Sequence, residues 1–287
     1  MNGGGAMGTR SGGWLGGAAG LCGVLTACSG FGGANDRLPE RFVGGLGSGG
    51  AGGSGADSAG SDWSCLDEPA AVTPSLSRTG NVSYSVGVSS LFGAPITNLV
   101  ARACLPADPA CATPISETRG LTPEGRLVVQ VPVGYDGFLE VTEDGHVPAV
   151  TYMRKPVLND TFDAIPLQPI PTAGVLQLAG LLKVEIVPDL AIVTVQIADC
   201  NDERGSGISF TNNLGGLGFY FVDGLPSVTA SATDPQGLGG FANVPIRLVE
   251  VSAKVGVEGP TIDTRTVLPR VGWITNVGLR PPAAPLD

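Results

Sequence analysis

Alternation with a period of two residues is the feature that most restricts what this chain can fold into. Val82, Tyr84, Val86 and Val88 fall on one side, while Ser83, Ser85, Gly87 and Ser89 fall on the other. That is the pattern of a strand with one face buried. Turn signals then recur at short intervals. Gly93-Ala-Pro95 leads to a strand over 98–104, Thr122-Pro-Glu-Gly125 precedes the β-branched run Arg126–Val131, and Pro132 closes that run. Gly134-Tyr-Asp-Gly137 turns into Phe138–Val141, and Glu143-Asp-Gly145 follows. With 45 Gly and 23 Pro in 287 residues, long helices are disfavoured, and short strands at this spacing predict an antiparallel sandwich.

The second half returns to the same phrasing. Ala191–Ile197 reads as a strand, and Gly205-Ser-Gly-Ile208 turns into another. Thr233-Asp-Pro-Gln-Gly237 repeats the earlier turn, and Gly240–Pro245 echoes Leu127–Pro132 in ending on Val-Pro. Arg247–Ala253 and Trp273–Leu279 supply later strands. Two copies of one fold are expected. Between them, 172–183 is the one helical segment, with Thr172 as its N-cap, Val175, Leu178, Ala179 and Leu182 on one face, and Lys183 in the last turn. The expected class is all-β: two antiparallel β-sandwich domains, 76–168 and 188–287, joined by a short helical connector over 169–187 that packs between them. Ahead of them 28–75 is rich in Gly, Ser and Ala. It buries too little to offset the entropy of ordering and reads as a flexible tether, whose Gly-rich part has an r.m.s. span of roughly 30 Å.

The N-terminus carries one cation, Arg10, and then an apolar run from Trp14 to Leu25. The run is too short for a membrane span of ~20 residues and has the form of a secretory leader. Leu25-Thr26-Ala27-Cys28 resembles the lipobox of bacterial lipoproteins. That resemblance implies a signal peptide over 1–27, cleavage before Cys28, a lipid on Cys28, and a membrane partner reached through that lipid. Ser29 follows, not aspartate, which under the envelope sorting rule implies the outer membrane. Met1 and Met7 both remain as starts.

Four cysteines lie beyond Cys28. In an exported chain an even count predicts disulfides. Cys104 and Cys111 flank a loop bent by Pro106, Asp108 and Pro109 and are paired locally, which leaves Cys65 with Cys200. A zinc site is the other reading, but paired Cys-x-x-Cys spacing is missing and the chain holds one His. No metal or cofactor is expected.

The strand, Gly turn, Thr-x-x-Gly turn and Val-Pro strand together resemble the carboxypeptidase regulatory-like, transthyretin-like domains of bacterial surface lipoproteins. The resemblance covers about 80–280, and the second copy departs from it through the insertion Asn212–Gly218. It implies Ig-like or transthyretin-like sandwiches and a non-catalytic module that props, spaces or binds. The binding alternative is a ligand module for a glycan, a peptide or calcium.

Chemistry is sparse. A Ser or Cys hydrolase needs a placed base, and His146, between Gly145 and Val147, reads as a loop residue. Gly237-Leu-Gly-Gly240 precedes a strand, which defeats a dinucleotide reading. Asp199, Asp202 and Glu203 are candidate calcium ligands, although a solvated turn explains them as well. Phe219-Tyr220-Phe221 with Trp273 could form an aromatic strip for a glycan, but alternation favours core packing for Phe219 and Phe221. A formal net charge of -10 without a Lys/Arg cluster argues against nucleic acid, so the partners left are a surface glycan or a protein.

Overall fold

The computed structural model describes residues 60–69, 80–91 and 93–282. The leader, Cys28 and most of the proposed tether lie outside them. The described residues fall within one compact unit. Its strands in chain order are β1 (Asn81–Val88), β2 (Val100–Cys104), β3 (Ser116–Arg119), β4 (Arg126–Pro132), β5 (Phe138–Thr142), β6 (Ala149–Tyr152) and β7 (Thr161–Leu167). Helix α1 (Thr172–Leu182) follows. Then come β8 (Leu190–Ile197), β9 (Ile208–Asn212), β10 (Leu217–Val222), β11 (Leu225–Ser227), β12 (Leu238–Pro245), β13 (Val249–Val255), β14 (Thr261–Val267) and β15 (Ile274–Leu279). Among the described residues no helix is long and apolar enough to cross a membrane.

The two halves share one strand arrangement. In the first, β1 lies between the Val-Pro strand β4, antiparallel, and the last strand β7, parallel. In the second, β8 lies between the Val-Pro strand β12, antiparallel, and the last strand β15, parallel. The opposing layers match too, as β6-β5-β2 in one half and β14-β13-β9 in the other. Even the turns before the Val-Pro strands agree. Gly125 and Gly237 each sit at positive φ, 74° and 61°, and each donates its N–H three residues back, to Thr122 and Asp234. A side chain at Gly237 would also stand 2.9 Å from the Ile197 carbonyl. The halves differ in their extra strands: β3 extends β2, whereas the hairpin β10–β11, which grows from the insertion noted in the sequence, extends β12.

In one respect the architecture departs from two separately closed sandwiches. Strand β6 pairs in parallel with β15, from Ile274↔Ala149 to Val277↔Tyr152, so one layer of each half fuses into a nine-stranded sheet. The register assigns the faces. Leu139, Val141, Ala149, Ile274, Ile192 and Phe219 share one face; Phe138, Glu140, Val150, Val277, Val195 and Tyr220 share the other. Leu139 and Val141 belong to the core under β4-β1-β7, while Val277 and Val195 belong to the core under β14-β13-β9. The two three-stranded sheets therefore cover opposite faces of the long sheet, each over its own half.

The helix meets residues of both halves, as expected, but does so by lying on one face of the fused sheet instead of in a gap between two closed sandwiches. Its buried Gly174, Leu178 and Leu182 lie on the face that carries Ala149, Ile192, Phe219 and Ile274, beyond the end of the first small sheet. Its start also differs. Pro171 is the N-cap, without a side-chain hydrogen bond, and Thr172 is already helical. Proline at that boundary sets the extended approach. Lys183, at φ 54°, closes the C-terminus, and the Val184 N–H returns to the Ala179 carbonyl.

Both disulfides are present, Cys104–Cys111 and Cys65–Cys200, with Cα separations of 5.4 and 5.9 Å. The second corrects the expected extent of the tether. Residues 60–69 are held on the second half: Cys65 is bonded there, the Trp63 ring lies against Gly205, where a Cβ would come within 2.5 Å of it, and the Cys200 N–H donates to the Asp62 carbonyl.

Three of the edge strands, β9, β14 and β7, are blunted by side chains. On β9, the Phe210 N–H donates to the Tyr220 hydroxyl at 2.8 Å and the Ile208 N–H to Thr233 Oγ1 at 3.1 Å. On β14, the Thr264 N–H is taken by Asp263 Oδ1 at 2.8 Å, and on β7 the Ile165 N–H by Asp163 Oδ1 at 3.0 Å.

The loop-entropy account predicts unequal worth for the two cross-links. Removing Cys65–Cys200, which closes a separation of 135 residues, should cost roughly 5 kcal/mol, and removing Cys104–Cys111, about 2.5 kcal/mol. Urea unfolding of the paired Cys→Ala variants checks the order.

Candidate functional site

Glu140 on β5 is the most buried carboxylate of the first half, 1% exposed. It interrupts the apolar run Phe138–Val141 and faces Arg102 directly across the β2–β5 ladder. Arg102 and Arg270 both ion-pair with it. The Arg270 guanidinium lies 4.9 Å from the Trp273 ring centroid and 5.5 Å from that of Phe138, and donates to the Pro109 carbonyl inside the small disulfide loop at 2.5 Å. This arginine, from the second half, thus locks Glu140 and the loop of the first. Cys104, Cys111 and Glu140 stand close enough together to suggest a metal. The sulfurs are bonded to one another and the carboxylate is held by two guanidiniums, so this trio offers no free ligand.

The candidate calcium carboxylates have other work. Asp199 Oδ1 accepts the N–H groups of Asn201 and Glu203 at 2.9 and 3.0 Å, and Oδ2 accepts that of Asp62 at 2.9 Å. Asp199 therefore folds its own loop and grips the incoming segment. Asp202 meets Arg154 at 3.2 Å and Lys155 at 2.9 Å. Burial pushes its carboxyl upward, but the two cations outweigh this and hold it below the ordinary aspartate value. Arg154 also pairs with Asp163, to which the Tyr84 hydroxyl donates at 2.8 Å. This network ties the loop after β8 to β1 and β7. Among the described residues the three acids do not form a cluster that could hold a metal ion.

His146 is buried. Its Nδ1 lies 3.1 Å from the Asp144 carbonyl and its Nε2 3.3 Å from Ser90 Oγ. With the Nδ1 proton donated to that carbonyl, Nε2 accepts from the serine. Sequence spacing gave no sign of this contact. The orienting group is a carbonyl instead of a carboxylate, and the nearby Leu91 N–H is committed to the Pro169 carbonyl, so among the described residues the pair shows neither a triad carboxylate nor a free N–H at Leu91.

All four tyrosines hold backbone or charge. Tyr135, Tyr152 and Tyr220 accept the N–H groups of Cys104, Leu268 and Phe210 at 3.0, 3.0 and 2.8 Å. Burial raises all four phenols above the ordinary range, and at Tyr84 the charge of Asp163 adds to it. Phe219 and Phe221 are core residues in edge-to-face contact at 5.8 Å, so the aromatic strip is not displayed.

One space for a ligand is one that sequence pattern did not indicate. Between α1 and the starts of β8 and β15 lies a groove of about 350 Å³, floored by Val147, Ile192 and Ile274 and walled by Val175, Val187 and Trp273. Thr172 supplies the one hydroxyl in it, and none of its lining side chains is charged. A second cleft, about 290 Å³, lies beside Tyr152 and is polar, with Asp136, Arg265 and Thr264. Arg265 is itself committed to the Met153 and Arg154 carbonyls.

No family model matches this chain, nor does any curated protein. Among solved structures it is similar to the Bacillus anthracis TIE protein, with 11% identity and a TM-score of 0.24, covering 70% of this chain and 34% of that one. The shaft pilin SpaA of Lactobacillus rhamnosus GG matches at 11% identity and TM-score 0.21 over 71% of this chain and 99% of that one. A streptococcal ancillary pilin matches at 10% identity and TM-score 0.22, over 70% and 68%. The chain spans about a third of the Bacillus protein. Likenesses at these scores carry no argument for fold or role.

Two outcomes follow from the buried charges and phenols. Glu140→Ala should cost roughly 3 to 5 kcal/mol of unfolding free energy, because it leaves Arg270 without its carboxylate in a half-buried site. Glu117→Ala, which breaks the exposed pair with Arg119, should cost under about 1 kcal/mol. The raised phenols stabilise the fold fully below about pH 10, the unfolded value, and that contribution is lost as pH rises through the higher folded values. An alkaline titration followed by tyrosinate absorbance and circular dichroism should show ionisation and unfolding together, whereas free phenols would ionise first.

Proposed function

We propose that this chain is a non-catalytic, lipid-anchored module of the cell envelope, held at the outer membrane through Cys28 and serving as a spacer, prop or adhesive body. The observation that carries the reading is the way residues 60–69 join the folded unit. A chain pulled from its N-terminus transmits force to Cys65, and the covalent bond to Cys200 passes that force into the second half, at the end of β8. The 134 residues between these cysteines are thereby shielded from the load. Asp62 and Trp63 reinforce the same junction. A fold built to be held by its N-terminal end is what a tethered module needs.

The engagement of the ionisable groups supports the non-catalytic part. Glu140, Asp199, Asp202 and Asp163 are each fixed by cations or backbone N–H groups, and His146 lacks a carboxylate partner among its hydrogen bonds. The calcium alternative loses support from the same assignments, because ligation would require Asp199 and Asp202 to give up the contacts that hold their loop.

Labelling of growing cells with an alkyne palmitate should mark the protein and place it in the membrane fraction. Globomycin and Cys28→Ala should each abolish the mature lipidated form. Unchanged processing in either case would refute the anchor.

A further inference from the structure

We propose that the groove between α1 and the starts of β8 and β15 binds a single hydrocarbon chain of a lipid molecule with an uncharged head. This goes beyond the anchoring role and does not depend on it.

The class of ligand follows from what the groove can and cannot offer. Six of its lining residues have backbone N–H groups already spent. Val147 donates to Ile170, Thr172 to Gly145, Leu190 to Val187, Trp273 to Arg270 and Ile274 to Pro148, all to carbonyls, and Val187 donates to Asn243 Oδ1 at 2.9 Å. A peptide laid in this groove would bury its own amides against aliphatic side chains, at a cost of roughly 1 to 3 kcal/mol for each unpaired group. A glycan, carrying hydroxyls on every ring, fares worse. A polymethylene chain makes no such demand and gains wherever it leaves water. The volume, about 350 Å³, lies at the lower end of the ~300 to 1,000 Å³ typical of small-ligand sites, which suits one chain and not two.

Charge selects the head group. The lining carries no ionised side chain and the whole protein has a formal net charge of -10. A fatty-acid anion would therefore find no counter-ion in the groove and a repelling field around it, while an alcohol or glyceride head meets neither penalty.

The mouth is apolar as well. Leu176, on the solvent side of α1, is 76% exposed, Val271, just before the groove's Gly272, is 56% exposed, and Val187 is 39% exposed. A groove that continues outward into aliphatic side chains is a surface that gains by being covered. Leu176 can close over a seated chain without disturbing the buried side of the helix, because Gly174, Leu178 and Leu182 carry the packing.

Trp273 in the wall supplies the readout. The test uses the full unlipidated chain carrying Cys28→Ala and a decanol tipped with bromine, which quenches indole emission on contact. The expected result is saturable quenching that Trp273→Phe removes, with bromine-tipped decanoate binding about tenfold more weakly. Leu176→Glu, at an exposed position that leaves folding intact, should also weaken binding of the alcohol about tenfold by placing a charge at the mouth, with an unchanged melting temperature as the control. Quenching that does not saturate, that survives Trp273→Phe, or that is equal for alcohol and carboxylate overturns the proposal. So does an absence of quenching in the full chain, which would mean that a segment of the chain itself fills the groove.

Discussion

The pairing of β6 with β15 is the constraint on which the rest of the structure depends. Four residue pairs stitch the two halves edge to edge, and a parallel seam of that length is weak by itself. It is held in register by a polar row across three strands. The Asn276 side chain of β15 bonds Thr151 of β6 at 2.9 Å and receives the Thr194 hydroxyl of β8. A slip of one residue would send this row to the opposite face and bring Thr275 and Val277 to the helix side. Because the seam holds, the first half can keep its small sheet on one face while the second keeps its own on the other. The uncovered stretch of the first face is then the bed for α1, and the uncovered stretch of the other is sealed by the disulfide loop and Arg270.

Much of the scaffold could be read from the residues, for physical reasons that also explain the omissions. Period two is strong in β1, where the strand separates core from a less apolar side, whereas β8 is legible as a continuous apolar run because both of its faces are buried, and the repeated Thr-to-Gly turns mark the starts of β4 and β12. Strand β14, Thr261-Ile-Asp-Thr-Arg-Thr-Val267, escaped because only two of its seven residues are buried, too few for a pattern to emerge. Strand β6 is four residues long and follows Val147-Pro148, a sequence that reads equally well as a loop. The fused sheet is a pairing between strands about 125 residues apart, and no local signal encodes it. Both cysteine pairs could be reached by loop chemistry and by remainder, yet the docking of residues 60–69 could not, because the partners of Asp62 and Trp63 belong to the second half.

The candidate site was less visible. Sequence reasoning ranked acids by proximity along the chain, which brings Asp199, Asp202 and Glu203 together, but folding sends Asp199 inward to backbone N–H groups and Asp202 toward Arg154 and Lys155. Conversely, the groove is assembled from the end of one loop, one helical turn and the starts of two strands, each contributing ordinary aliphatic residues. An apolar cavity has no residue signature. The sole hint was Leu176, an aliphatic residue on the side of α1 away from Leu178 and Leu182.

The capped margins of the sheets have a consequence for how this molecule can meet others. Bare strand borders let identical proteins zip together into fibres or exchange strands. Here tyrosine, threonine and aspartate side chains occupy hydrogen-bonding groups on β7, β9 and β14 that such growth would recruit. High local concentration is the circumstance in which that restraint matters most: copies that meet along β7, β9 or β14 find these groups already taken, and association there has to be made by side chains.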